Sequence, residues 1–293
     1  MRRILGASLA ALVVGVGVGP AERARFSHVR IQVIDVGQAD GILIRTPNTR
    51  WILIDAGQGT LLADSLPTRF DVDTIHLAIG SHRHKDHIGA MDNIMAAIPT
   101  SRYVGDTSSY SRGEDDDNLR AAIGTMIPVA PLGADTILID GVRIIVLPSG
   151  PRAREDEENN NSVVVRLDYG EFSMLFVGDA EAPRRSWLIA NHRALLDADV
   201  LKASHHGSGN GTSPDWLDAV SPTRIVISAG LNATFRHPRP EAVAAYEARV
   251  GASRVYCTNR HGTIRFYGYR DGGMTVSRQR QSTKSCAYDG TLY

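Results

Sequence analysis

Four potential metal ligands stand within six residues in Ser81-His82-Arg83-His84-Lys85-Asp86-His87. Three imidazoles and a carboxylate at that density suit zinc, manganese or iron. A surface histidine cluster is the plain alternative. Two further segments offer the same chemistry. Gly178-Asp179 follows an apolar run, and its aspartate can either reach a metal or cap a helix beginning at Ala180. Ser204-His205-His206-Gly207-Ser208 offers one ligand and one supporting neighbour, with no basis for choosing between His205 and His206. In Arg236-His237-Pro238, His237 is a candidate to protonate a leaving group or hold a phosphate oxygen, or is an ordinary loop histidine. Asp40 can orient a ligand histidine, line a cleft or shape a turn. Asp55 reads as a hydrogen-bond acceptor behind the ligands, and Lys202 as the partner of a buried carboxylate or a contact for phosphate.

These residues need rigid elements to aim them. Alternating apolar and polar residues predict strands at 29–36, 41–45 and 51–55, and 74–80 reads as another strand running straight into the histidine cluster. Residues 88–98 have helical spacing, with Ile88, Met91, Ile94 and Met95 on one face. Strands follow at 136–139, 143–147, 162–167 and 172–177, then a helix at 180–191 and a strand at 199–203. A helix at 214–220, a strand at 224–228, a helix at 240–249 and strands at 254–258 and 263–267 complete the pattern. Strands first, then strands mixed with helices, predict a layered α/β sandwich of two sheets with outer helices. The acidic runs at 114–117 and 155–158 lie in polar stretches and read as solvated loops.

The 293 residues hold 32 Lys+Arg and 32 Asp+Glu, so no strongly basic balance marks a protein that coats nucleic acid, although a local basic cleft is not excluded. At 43% hydrophobic and 22% charged, the composition excludes a disordered chain or a membrane bundle. Arg2 and Arg3 precede an uncharged, mostly apolar run at 4–19, and Gly19-Pro20-Ala21 offers small residues for cleavage. Residues 1–21 therefore read as a secretory signal peptide, an uncleaved anchor being the alternative, and the expectation is an exported chain without a membrane span after cleavage. Cys257 and Cys286 could bridge and pin the C-terminal tail, or remain two unrelated thiols.

His82-Arg83-His84-Lys85-Asp86-His87 matches the H-x-H-x-D-H signature of the metallo-β-lactamase superfamily. Ile34-Asp35-Val36-Gly37-Gln38-Ala39-Asp40, Ile54-Asp55-Ala56-Gly57, Glu158-Asn159-Asn160-Asn161-Ser162, Val177-Gly178-Asp179-Ala180 and Leu201-Lys202 through Ser208 follow in family order. Over about residues 29–268 the chain most closely resembles the hydrolase domain of ComEC-type competence proteins. The resemblance implies a four-layer αββα metallo-β-lactamase sandwich, a single domain over 29–293, with its site at one edge between the sheets. It implies two divalent metal ions, zinc or manganese: His82 and His84 on one, Asp86, His87 and one of His205 or His206 on the other, and Asp179 between them. Asp86, Asp179 and His237 are the catalytic candidates. Many members place another histidine ligand between the cluster and the bridging aspartate. Here there is none between His87 and His192, and the Asn159-Asn160-Asn161 loop is the expected substitute. The implied activity is phosphodiester hydrolysis by a metal-bound hydroxide, with DNA as the substrate. Hydrolysis of another ester, such as a phosphocholine ester or a lactam, and a metal-binding surface module without turnover are the alternatives.

Overall fold

The computed structural model describes residues 28–105, 113–124, 128–129 and 135–291. The signal segment expected at 1–21 lies outside the described residues. Six strands come first: β1 (His28–Val33), β2 (Gly41–Arg45), β3 (Trp51–Ala56), β4 (Leu77–Ile79), β5 (Tyr103–Val104) and β6 (Pro128–Val129). A second sheet takes β7 (Asp135–Ile139), β8 (Val142–Val146), β9 (Val165–Tyr169), β10 (Phe172–Phe176), β11 (Val200–Lys202), β12 (Arg224–Ile227) and β13 (Val255–Cys257). The chain then returns to the first sheet through β14 (Ile264–Tyr269) and β15 (Met274–Arg278). The strand orders are β15-β14-β1-β2-β3-β4-β5-β6 and β13-β12-β11-β10-β9-β8-β7.

The period-2 patterning explains the layers. Val29, Ile31 and Val33 of β1, Ile42 and Ile44 of β2, and Ile52 and Ile54 of β3 face the other sheet. There they meet Val165, Leu167, Met174 and Phe176. The alternate residues Leu43 and Leu53 pack with Leu62 and Leu66 of the helix Leu61–Arg69 and with Met91 and Ile94 of the helix Met91–Ala97. On the second sheet, Leu175, Leu201 and Ile225 lie in one cluster with residues of the helices Ala182–His192, Pro214–Val220 and Pro240–Val250. Strands buried on both faces read as near-continuous apolar runs, as 51–56 and 172–176 do. The result is the four-layer αββα sandwich expected from the sequence. β3 to β6 and β10 to β13 run parallel within their sheets, so each set brings its carboxyl ends to one edge. In open α/β sheets that edge is where ligands bind.

Three local expectations need correction. The helix predicted at 88–98 is two, Lys85–Ile88 and Met91–Ala97, so the histidine cluster itself runs into the first of them. The acidic run at 114–117 is not a solvated loop. It forms the first turn of the helix Glu114–Ile123, where its charges suit the positive end of the helix dipole. The run at 155–158 lies in the 3₁₀ segment Glu155–Asn161. Both were misjudged for one reason. Arg83, inside the histidine cluster, is buried, and a buried guanidinium needs carboxylates. Asp116 Oδ2 lies 3.3 Å from its Nη1 and Glu158 Oε1 3.1 Å from its Nε.

Cys257 at the end of β13 and Cys286 form a disulfide across 29 residues. Closing a loop of that length in the unfolded chain is worth about 3 to 4 kcal/mol. The variant carrying Cys257→Ser and Cys286→Ser should lose stability of that order in a denaturant titration, and limited proteolysis should open the segment after β15 first. An unchanged midpoint would show that the bridge does not hold the tail.

Candidate metal centre

Asp55 closes β3 at φ +55°, a conformation non-glycine residues rarely adopt. Its Oδ1 accepts the Ser81 N–H at 2.7 Å, and its Oδ2 accepts the Ser81 hydroxyl at 2.7 Å. Oδ2 also lies 2.8 Å from His87 Nδ1. That contact leaves His87 Nε2 pointing inward, 3.2 Å from Asp179 Oδ1. The Ser81 hydroxyl sits 3.1 Å from His82 Nδ1, and His82 Nε2 lies 3.0 Å from His84 Nδ1. β10 delivers Asp179, whose N–H donates to Ser162 Oγ at 3.1 Å. The preceding Gly178 has φ +51°, and a Cβ there would stand 2.9 Å from Ser81 Cβ, so only glycine fits. The next helix starts at Ala182 with Glu181 as its N-cap residue, so Asp179 does not cap it.

β11 leads into His205 and His206, both left-handed at φ +50° and +52°. Each such residue costs on the order of 1 kcal/mol or more, a strain that clusters at functional sites. The strain splays the two rings. His206 is buried, with Nδ1 3.1 Å from the Ser228 carbonyl and Nε2 3.2 Å from Asp86 Oδ2. His205 is half-buried, with Nδ1 3.3 Å from Glu181 Oε1. His206 thus lies within the buried group, while the half-buried His205 also brings its Nε2 to 3.7 Å from Asp179 Oδ2. Asp86, His87, Asp179 and His206 each offer an atom within 4.8 Å of the others. Asp40 stands behind them. Its N–H donates to the Asp86 carbonyl at 3.0 Å, and its carboxylate lies 2.5 Å from Lys202 Nζ. Both side chains are buried, so Lys202 is the partner of a carboxylate.

Charge governs this pocket. Burial opposes ionisation of Asp179, yet the neighbouring His87 and His206 hold its carboxyl well below the usual range. Burial likewise opposes ionisation of Asp40, but Lys202 and His206 hold it low. For His206, burial is overcome by the Asp179 charge and contacts with Asp40 and Asp86, and its pKa is pushed up to about 10. His82 behaves oppositely: burial, with His87 beside it, holds it uncharged. Burial and the nearby His205 push His237 down to about 4, so at neutral pH it is an uncharged hydrogen-bonding ring.

The cleft above the cluster has a volume of about 650 Å³, and His84, Asp86, Asp179, His205, His206 and His237 line it. His82 and His87 lie beneath, fully buried. Every residue singled out as a ligand or catalytic group thus converges on one edge. Asn159 also lines the cleft, whereas Asn160 and Asn161 turn away to Arg184 and Glu158. Asn159 Oδ1 is buried without a hydrogen-bond partner. His87 Nε2 and Asp179 Oδ1 face each other without hydrogen-bond geometry. Buried polar atoms left in this way are costly, and a set of imidazole nitrogens and carboxylate oxygens suits zinc or manganese. The residues present therefore fit divalent ions. A second grouping, Cys257, Cys286 and His261, does not, because its sulfurs are bridged. Sequence reasoning missed the central part of Ser81 and the place of Phe235, Gln58 and Asn232 at the cleft mouth. Ser81 lay inside the motif but offered no ligand atom to draw notice.

The Asp40–Lys202 pair can be tested directly. Lys202→Met should destabilise the fold by about 3 to 5 kcal/mol, because it leaves a buried carboxylate without its cation. Adding Asp40→Asn should recover part of that loss in a double-mutant cycle. Additive losses would show that the pair is not coupled.

The sequence profile described as "Metallo-beta-lactamase superfamily" matches residues 34–229. The chain is 28% identical over 274 residues to ComE operon protein 3 of Bacillus subtilis (strain 168), covering 85% of this chain and 34% of that protein. It is 26% identical over 257 residues to Competence protein ComA of Neisseria gonorrhoeae, covering 87% and 34%. The chain thus spans about a third of the length of these relatives. The metallo-beta-lactamase fold protein YhfI from Bacillus subtilis superposes with a TM-score of 0.54 at 12% identity, over 83% of this chain and 100% of that one, a likeness of fold alone. The profile match, the αββα layers and the histidine–aspartate cluster at their edge lead to one assignment: the chain belongs to the metallo-beta-lactamase superfamily of metal-dependent hydrolases.

Proposed function

We propose that this chain is an exported phosphodiesterase that cleaves DNA with the help of two divalent ions, zinc or manganese. The observation that carries the reading is the paired donor set. His82 and His84 present facing nitrogens beside the buried group of Asp86, His87, Asp179 and His206. In this reading His82, His84 and the amide oxygen of Asn159 hold one ion, and Asp86, His87 and His206 hold the other. Asp179 serves both. Ions bound there supply Lewis acidity and make nearby water acidic enough to attack at neutral pH.

The chain's own groups do the rest. Asp55 and Ser81 fix the tautomer of His87 and aim its Nε2. Asp86, half-buried at the cleft, accepts a proton from the attacking water. His237 donates an N–H to a phosphate oxygen as a neutral ring. His205 stands over the cleft beside Glu181 and returns a proton to the leaving oxygen. DNA is favoured because, among relatives that span most of this chain, one is named a competence protein and another a recombination protein. Export is supported by Arg2 and Arg3 ahead of the apolar run at 4–19, and by the disulfide, which persists in oxidising compartments. No helix among the described residues is long and apolar enough to cross a membrane.

The test is cleavage of end-labelled single- and double-stranded DNA with manganese, zinc or chelator. Metal-dependent cutting should fall by about ten- to a hundredfold in Asp179→Ala. A metal-loaded protein that cuts neither DNA form would overturn the nuclease reading and turn attention to small esters.

A further inference from the structure

The outward side of the first sheet is only partly roofed. Helices pack against it through Leu43, Leu53 and Ala78 of β2 to β4. On β1, β14 and β15 the outward residues Arg30, Arg265, Tyr267, Thr275 and Ser277 stay half-buried or exposed. Register brings three guanidiniums together there. Arg30 lies opposite Arg45 on one side and Tyr267 on the other. Arg265 lies opposite Gln32, two residues further along, and donates its Nε to Gln32 Oε1 at 3.0 Å. The Arg30 and Arg45 guanidiniums stand 5.7 and 5.3 Å from the centre of the Trp51 ring.

Arg83, Arg260 and Arg280 each reach a carboxylate. Among the described residues, none of Arg30, Arg45 and Arg265 is held by one. The Nε atoms of Arg30 and Arg45 are buried with no hydrogen-bond partner. Burial and the charges of Arg45 and Arg265 disfavour the charged form of Arg30, against the pull of Tyr267. Like charges crowded this way cost stability unless an anion joins them. The chain's own first 27 residues carry four arginines and a single glutamate, so they add net positive charge.

We propose that this face is an exosite that holds the phosphate backbone of a nucleic-acid strand. Guanidinium forks match phosphate oxygens, and Tyr267 and Tyr269, half-buried with His28 edge-on to both, offer rings for base stacking. A lipid surface is a poorer match, because the rim here, Thr275 and Ser277, is polar rather than apolar. β1 runs from the cluster towards the cleft. Arg30 is five residues before Asp35, or about 16 Å at the rise of a strand, and the loop beyond carries Asp40. A strand held on this face can therefore run on to the cleft, which makes the substrate a polymer rather than a small diester. That last step rests on the phosphodiesterase reading, whereas binding at the face does not.

The test compares the full chain with a variant carrying Arg30→Gln, Arg45→Gln and Arg265→Gln. Binding of a labelled oligodeoxythymidylate is followed by fluorescence anisotropy in chelator across a range of salt. Hydrolysis of bis(p-nitrophenyl) phosphate with manganese is followed beside it. The expected result is an affinity loss of about tenfold or more and a salt slope flatter by about 2, with small-diester hydrolysis unchanged. The corresponding triple lysine variant should restore most of the slope. Equal affinity and slope in parent and glutamine variant would overturn the exosite and leave the cleft reading standing. So would a loss confined to binding of phosphatidylglycerol vesicles, which would reassign the face to membrane lipid. If the variant loses DNA binding while neither protein hydrolyses any diester, the exosite stands and the phosphodiesterase reading fails.

Discussion

Buried negative charge at one sheet edge is the constraint on which the rest of this protein depends. Asp40, Asp55 and Asp179 are almost fully buried, and Asp86 is half-buried beside them. Each buried carboxylate costs several kcal/mol unless paired and hydrogen-bonded. The fold answers in layers. Asp55 accepts from Ser81 and sits against His87, Asp40 is paired in charge with Lys202, Asp86 with His206, and Asp179 faces His87 and His206 without a completed hydrogen bond to His87. Imidazoles are the adjustable part of that balance, because they can share a carboxylate with a proton or with a metal cation.

Local backbone features make sense in this light. Asp55, His205 and His206 sit in left-handed conformations that only surrounding structure can enforce. They do so at the carboxyl ends of β3 and β11, where a regular strand would aim these side chains elsewhere. Arg83 performs the same service for the histidine cluster. Its ties to Asp116 and Glu158 fasten the loop to the helix Glu114–Ile123 on one side and to the Asn159 segment on the other. The residues that hold the site are therefore as buried as those that form it.

Much of this was legible in the sequence, for reasons that differ by element. The strands at 41–45 and 51–55 stood out as short apolar segments broken by turns, and Ser213 and Pro214 suit the start of the helix 214–220. The candidate ligands from His82 to His87 were legible because all four share one short loop. Asp179 was ambiguous, since an aspartate before a helix serves equally as a cap. Only the actual start of that helix at Ala182 decides the matter. The choice between His205 and His206 depends on two left-handed residues that no spacing rule predicts. The acidic runs were misread because Asp116 and Glu158 pair with Arg83 across 33 and 75 residues, and such long-range partners leave no local trace. The helix Leu61–Arg69 was missed because it contains Pro67 and buries only Leu62 and Leu66.

As proposed, this edge would hold two divalent ions, one of them with an asparagine where a third histidine is common. Anomalous diffraction from crystals of the manganese- or zinc-loaded protein tests it most directly. Two peaks sharing Asp179 are expected, one beside His82, His84 and Asn159 and the other beside Asp86, His87 and His206. Peaks only elsewhere, or none at this edge in a metal-loaded crystal with these side chains ordered, would contradict it.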